Sequence, residues 1–219
     1  MAPRLTRKEK QAHTRTCLMR SAAKVFSRRG LQQASIDEVA EDAGFTKGAF
    51  YANFKSKEEL FLAMLDERFA ERLDQIDALI DVEGDPEDVA HRAGVDFGRF
   101  ISADLEWQRL FFEFAAYAAR NDEFRDELVT RYSSLRARIT EAYRRREREL
   151  ELKSPIPLED VSLMTFAMAN GVALEKLLEP DSVSDELYGT MLMIFFAGLR
   201  ALAESSAVAT AGNGRNARR

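Results

Sequence analysis

Residues Ser35 to Leu60 read SIDEVAEDAGFTKGAFYANFKSKEEL, and this stretch writes two short helices, a glycine turn between them and the start of a third. Ser35 with Glu38 makes a capping box: the hydroxyl accepts from the N3 amide while the carboxylate returns to the cap amide. Ile36, Val39, Ala40 and Ala43 then recur at i, i+3, i+4 and i+7, one apolar face of a helix. Gly44 supplies the left-handed residue that ends that helix at low conformational cost. Thr46 caps the next helix, where Phe50 and Phe54 lie four apart on the buried side. Lys47, Gly48, Tyr51 and Ala52 share another face, which holds one cation, one phenol and almost no bulk. Such a face suits close approach to a large flat partner. Helix, glycine turn and short amphipathic helix together form a helix-turn-helix pattern. Ser56 with Glu59 is a second capping box, opening a long helix from Lys57 to about Leu79.

With those residues in view, positions 16–65 resemble the DNA-binding domain of the TetR family of bacterial transcriptional regulators. The resemblance is carried by GFTKGAFYANFKSKEEL (Gly44 to Leu60), by Ser35–Val39 before it, and by AAKVFSRRG (Ala22–Gly30) at the end of the preceding helix. It implies that the second helix of the motif enters the major groove of a near-palindromic, double-stranded DNA operator. Thr46, Lys47, Gly48 and Ala49 would start its groove-facing side, with Asn53 at its far end. Tyr51 would offer its phenol to a phosphate, and Lys57 a cation at the amino end of its helix. Ser35 would touch the DNA backbone from its cap, while Arg4 and Arg7, in and beside a basic arm over residues 1–6, would reach a minor groove. The chain departs from the commoner family pattern in four places. Ala49 stands where threonine is frequent, Ala52 and Asn53 where Tyr or His often sit, and Lys55 where proline is frequent. Few base-reading donors remain, so phosphate and shape terms are expected to carry much of the affinity.

Charge agrees with that assignment once it is divided. The 219 residues carry a net charge of −5, yet residues 1–60 hold 12 Lys+Arg against 7 Asp+Glu, leaving an acidic remainder. The first part can hold phosphate and the second repels it. One cysteine, Cys17, excludes an internal disulfide framework and fits a reducing cytoplasm. No stretch approaches the roughly 18 uninterrupted apolar residues of a membrane span, and the basic N-terminus lacks an apolar signal core. A cytoplasmic protein with no membrane partner is expected.

An all-α fold of about nine helices follows from the rest of the chain. A first helix is predicted over about Arg7–Arg29, ended by Gly30. After a break at Gly84–Pro86, helices are predicted over Val89–Ala103, Leu105–Ala119, Glu123 to about Leu150, Leu158–Leu178 and Ser184–Glu204. The expected domains are 1–65 for DNA binding and 66–204 for regulation and dimerisation, joined within the long helix, followed by a disordered tail over 205–219.

No catalytic constellation, phosphate loop or metal spacing is present; Asp88 and His91 alone do not make a metal site, and neither enzyme activity nor a cofactor is expected. The second domain holds aromatic bulk instead. In the resembling family these helices enclose a small-molecule pocket, which makes Phe97, Phe100, Trp107, Phe111, Phe114, Tyr117, Met164, Phe166 and Met168 candidate ligand contacts; ordinary core packing explains the same residues. Glu113, alone amid LFFEFAAYAA, either orients a ligand or pairs with Arg109, the second being favoured. The last two helices are apolar nearly all round. The resemblance implies that they pair with their twofold mates, through Val161, Thr165, Val172, Leu187, Met191, Phe195, Gly198, Leu199 and Leu202, although one chain burying them internally is the alternative. The reading is a TetR-like homodimeric regulator, a repressor released by a small, largely apolar or aromatic effector. Its rival is a DNA-binding regulator without small-molecule control that answers to a protein partner.

Overall fold

The computed structural model describes residues 6–80, 84–151 and 153–216, with side chains over 6–75, 84–151 and 153–205; the candidate contact Arg4 lies outside them. Among the described residues there are nine helices and no strand: α1 (Arg7–Arg29), α2 (Ile36–Asp42), α3 (Lys47–Tyr51), α4 (Lys57–Ile80), α5 (Pro86–Ser102), α6 (Leu105–Ala118), α7 (Asp122–Glu149), α8 (Leu158–Leu178) and α9 (Leu187–Asn216). Two compact units divide them. One takes Met1–Glu71 and Glu106–Arg131, the other Arg72–Leu105 and Tyr132–Arg219.

Local signals build the first unit. Thr6 caps α1 in a capping box with Glu9, and Gly30, at φ 76°, ends the helix by donating its N–H to the Phe26 carbonyl. Ser35 and Glu38 form the expected box on α2. At α4 the Ser56 hydroxyl accepts from the Glu59 amide, but the Glu59 carboxylate accepts from Lys55 N–H, one residue earlier than the cap itself. Phe26, Phe50, Phe54 and Phe61 are fully buried with Leu18, Leu31, Leu60 and Leu65, each contributing about 1.5–3 kcal/mol by leaving water. Helix α6 belongs to this same unit because Phe61 of α4 lies between Trp107, at a ring separation of 5.5 Å, and Phe114, at 4.3 Å. A single cut near residue 66 does not describe this grouping: the head extends through α4 to Glu71 and includes α6 and the first part of α7.

The second unit is held by α5, α8, α9 and the rest of α7. Helix α5 begins at Pro86, three residues ahead of the expected Val89, because Asp85 caps it and the fixed φ of proline suits the first helical position. Helices α5 and α9 touch backbone to backbone: a β-carbon on Gly94 would stand 2.5 Å from the Gly189 Cα. Ala169, Val172, Tyr188 and Leu192 form a buried cluster beside them. Helix α9 starts at Leu187 rather than Ser184 and continues to Asn216, into the segment 205–219 expected to be a disordered tail.

Candidate nucleic-acid interface and regulatory sites

The outward side of the helix-turn-helix is small and polar. Thr46 Oγ1 accepts from the Ala49 amide at 3.2 Å, which starts α3 with Lys47 and Gly48 exposed. The Lys47 ammonium lies 2.9 Å from Asp37, and both side chains are more than half exposed; the bond to Asp37 raises the lysine's pKa. A surface pair of this kind is weak, so the cation is available to exchange a carboxylate for a phosphate. Tyr51 is 52% exposed and meets Phe50 edge-on, with ring centroids 5.7 Å apart. Ala52 is exposed and Ala49 half-buried. Arg7 is exposed in the first turn of α1.

Three candidate contacts are committed elsewhere. Asn53 donates from Nδ2 to the Ala49 carbonyl at 2.8 Å, its own carbonyl accepts from Arg15, and its Oδ1 is buried without a partner. Its side chain closes the end of α3. Lys57 donates to the carbonyls of Gln32 at 2.7 Å and Ala34 at 3.2 Å, which ties α4 to the α1–α2 turn with two of its three protons. The Ser35 hydroxyl is engaged with Glu38, accepting from its amide and donating to its carboxylate, and these bonds hold the Glu38 carboxyl below its usual range.

Glu113 is engaged with the turn after α1 rather than with Arg109. Its Oε1 accepts from the Gln32 N–H at 3.3 Å and would stand 3.0 Å from a β-carbon on Gly30. The Gln32 residue is thus held from both sides, its amide by α6 and its carbonyl by Lys57. Ser27 donates to Glu106 of α6 at 2.7 Å on the same side of the head.

The aromatic candidates are divided between the two units. Trp107, Phe111 and Phe114 are buried in the first unit, and Tyr117 sits in the same aromatic row, 6.3 Å from Phe114 and 5.7 Å from Phe124. Phe97 and Phe100 flank the guanidinium of Arg72, at 5.0 and 5.7 Å, while Arg72 pairs with Asp96 at 2.7 Å. Phe166 packs against Tyr132 at 4.7 Å, Met168 lies against the α8–α9 core, and Met164 is exposed. A cavity of about 770 Å³ exists, wholly within the second unit, between the start of α5, the end of α7, the start of α8 and α9. Tyr143, Leu158, Phe196 and Leu199 supply apolar wall, and Glu87 and Arg200 supply charge. Burial pushes the Tyr143 phenol to about 12, so it stays protonated and donates to Thr165 Oγ1 at 3.1 Å. None of the sequence-derived ligand candidates lines this cavity.

Residues 18–64, the helix-turn-helix and its supporting helices, match the family model described as bacterial regulatory proteins of the tetR family. The chain belongs to the TetR family. Residues 102–201 match a second model, the C-terminal domain of BetI-type transcriptional repressors. The HTH-type regulator YfiR of Bacillus subtilis is 24% identical over 84% of this chain and 90% of its own length. The transcriptional activator FasR of Mycolicibacterium smegmatis is 33% identical over 50% of this chain, which spans about half (48%) of FasR. Among solved structures, GusR of Salmonella enterica superimposes with a TM-score of 0.72 at 22% identity, over 90% of this chain and 98% of that one. FadR of Bacillus subtilis, in complex with stearoyl-CoA, gives 0.69 at 13% identity, over 86% and 97%. A transcriptional regulator of Saccharomonospora viridis, in complex with choline, gives 0.62 at 16%, over 85% and 96%. At such identities these neighbours share the fold.

In this TetR-family chain the surface of α8 and α9 is offset from the expected dimer face. Val161, Thr165 and Val172 are buried inside the single chain, where Thr165 takes hydrogen bonds from Tyr143 and, at its carbonyl, from Tyr188. The exposed row on α8 is instead Leu163, Met164, Gly171, Leu174 and Leu178. On α9, Leu187, Ile194, Gly198 and Leu202 are exposed, while Met191, Phe195 and Leu199 are half-buried. Both helices are long and apolar enough to cross a membrane by length and composition alone, yet only 33% and 17% of their apolar windows are buried. Open space surrounds Gly171 and Gly198, with nothing within 4 Å of an added β-carbon.

Proposed function

We propose that this TetR-family transcriptional regulator works as a homodimer on a near-palindromic operator and is released from it by a small molecule. The observation that carries the DNA reading is the short helix α3, which presents Lys47, Gly48, Tyr51 and Ala52 with almost no bulk above the backbone. Such a face lets a helix seat deeply in a major groove while Lys47 and Tyr51 reach phosphates. The contact set is therefore Thr46, Lys47, Gly48, Ala49 and Tyr51, with Arg7 beside them. Lys57 contributes through the turn it holds and through its remaining proton.

Support for the dimer comes from the apolar rows on α8 and α9, which a second copy would cover through the same surface on both chains. A bacterial regulator of this kind acts in the cytoplasm, beside its DNA. Support for small-molecule control comes from the cavity of about 770 Å³, and from the neighbours that hold stearoyl-CoA and choline. The C-terminal match to a repressor model favours repression, although FasR is an activator. A filled second unit would have favoured control by a protein partner. The effector acts by binding the DNA-competent and DNA-released states unequally.

The test is to purify the chain, let it capture sheared genomic DNA and sequence what is bound. Short inverted repeats upstream of a few genes are expected. Capture with no enriched sequence, or enrichment of asymmetric half-sites alone, contradicts the proposal.

A further inference from the structure

The cavity of the second unit holds one carboxylate too many. Glu87, near the start of α5, lines it and is 7% exposed. Its Oε1 lies 3.0 Å from Arg200 Nε, while its Oε2 is buried with no hydrogen-bond partner. Asp85, the cap of α5, stands 3.6 Å from the same guanidinium. Two carboxylates therefore answer to one arginine. The nearby cation Arg146 is already committed, to the Gly84 carbonyl at 3.2 Å and to Glu149 at 3.3 Å. A buried acceptor left bare is costly, more so when it is charged. Burial first, and then a side-chain hydrogen bond with Asp85, hold the Glu87 carboxyl above its usual range.

Arg146, Glu147, Glu151, Lys153 and Glu204 bring further charge to the cavity's wall, and the rest of that wall is mostly apolar. Tyr143 and Phe196 meet edge to face at 5.4 Å and form one wall with Leu158 and Leu199. Its volume lies in the range that holds drug-sized organic molecules.

We propose that this cavity binds an amphipathic organic cation: a primary or secondary ammonium pairs with the Glu87 carboxylate, and an aromatic or aliphatic body lies against Phe196, Tyr143 and Leu199. This deepens the proposed function and rests on its view of the second unit as the part that senses. It also moves the site away from the aromatics of α6 and changes the effector from merely apolar to cationic.

Three matched compounds test it on the full chain by titration calorimetry: 4-phenylbutylamine, 4-phenylbutanol and 4-phenylbutyrate. The amine is expected to bind at least about tenfold more tightly than the alcohol, since a charge-assisted hydrogen bond to a buried acceptor is the stronger kind, with the carboxylate weakest. Glu87→Gln keeps the side chain's shape and is expected to erase the preference for the amine. Equal binding of amine and alcohol, or a preference that survives Glu87→Gln, overturns the proposal. So does no binding by any of the three, as would follow if a second copy fills the cavity. Should Glu87→Gln melt early, the amine–alcohol comparison on the unaltered chain decides alone. Captured operator DNA separates the two readings. Amine binding that depends on Glu87 but leaves DNA affinity unchanged keeps the site and refutes its effector role. Release by other compounds, with no preference for the amine, keeps the regulator and refutes the site.

Discussion

At the scale of single residues, Gly48 is the sharpest indicator of function. A glycine inside a helix destabilises it relative to alanine by about 0.5–1 kcal/mol, and a β-carbon here would meet only Thr46 Oγ1 at 3.7 Å. Packing gives no reason for it. Gly48→Ala is expected to raise stability in urea unfolding by about that amount while weakening DNA binding in fluorescence anisotropy, because the helix can no longer seat as closely. A gain in both would place α3 away from the groove. Tyr51→Phe makes a complementary case. Losing only a hydroxyl, it should cost about 1 kcal/mol of DNA affinity, with the melting temperature unchanged because Phe50 still meets the ring. Lys57 combines an observed structural role with a proposed contact to DNA. Lys57→Ala is expected to lower stability by about 1–3 kcal/mol, the worth of hydrogen bonds to a charged donor, through loss of the Gln32 and Ala34 carbonyls. It should also reduce the salt slope of DNA binding by about one if its last proton reaches a phosphate. An unchanged slope with lowered stability would make it purely structural.

At the scale of elements, capping and helix contact set the stability. Glu9 and Glu38 accept from the backbones of Thr6 and Ser35, and these bonds lower both carboxyls from an ordinary value of 4.5. The unfolded chain binds protons more readily at these sites, so the stability they lend is fully present above about pH 5 and is lost as pH falls through the lowered values. Urea unfolding from pH 7 to 3 should show that decline, and Glu38→Gln, which cannot ionise, should flatten part of it. Glu87 works in the opposite sense. Its raised carboxyl costs stability as pH rises past the ordinary value, so Glu87→Gln without ligand should stabilise the neutral-pH fold. Gly94→Ala would drive a methyl into the Gly189 backbone, and overpacking of this kind costs about 1–3 kcal/mol.

What was legible in the sequence followed the range of the interaction. The helix-turn-helix could be read because caps, glycine and apolar spacing all act within four residues. The partner of Glu113 could not, since Gln32 lies 81 positions away and only packing brings them together. Helix α8 has the ends its sequence predicts, yet Val161, Thr165 and Val172, expected to meet a partner, are buried within the chain. It is apolar nearly all round, so periodicity alone cannot tell the side that packs inward, Val161, Thr165 and Val172, from the side that remains outside. The cavity was hidden for the same reason as Glu113: its walls come from four helices far apart in sequence.

At the scale of the whole molecule, the proposed regulator works as two chains. The exposed rows of α8 and α9 place Leu174, Leu178, Ile194 and Leu202 in water on a single chain, and a shared interface is the economical way to cover them. Two recognition helices would then read half-sites roughly 34–36 Å apart, one turn of DNA. Ile194→Glu, placed at the centre of the α9 row, should shift the chain to monomer and reduce operator affinity while leaving its helix content unchanged. The most direct measurement is the number of chains on one captured operator duplex, by sedimentation equilibrium. Two chains per duplex, with a single chain and much weaker binding for Ile194→Glu, is the predicted result. One unaltered chain bound at full affinity, in a state that survives dilution, would contradict it.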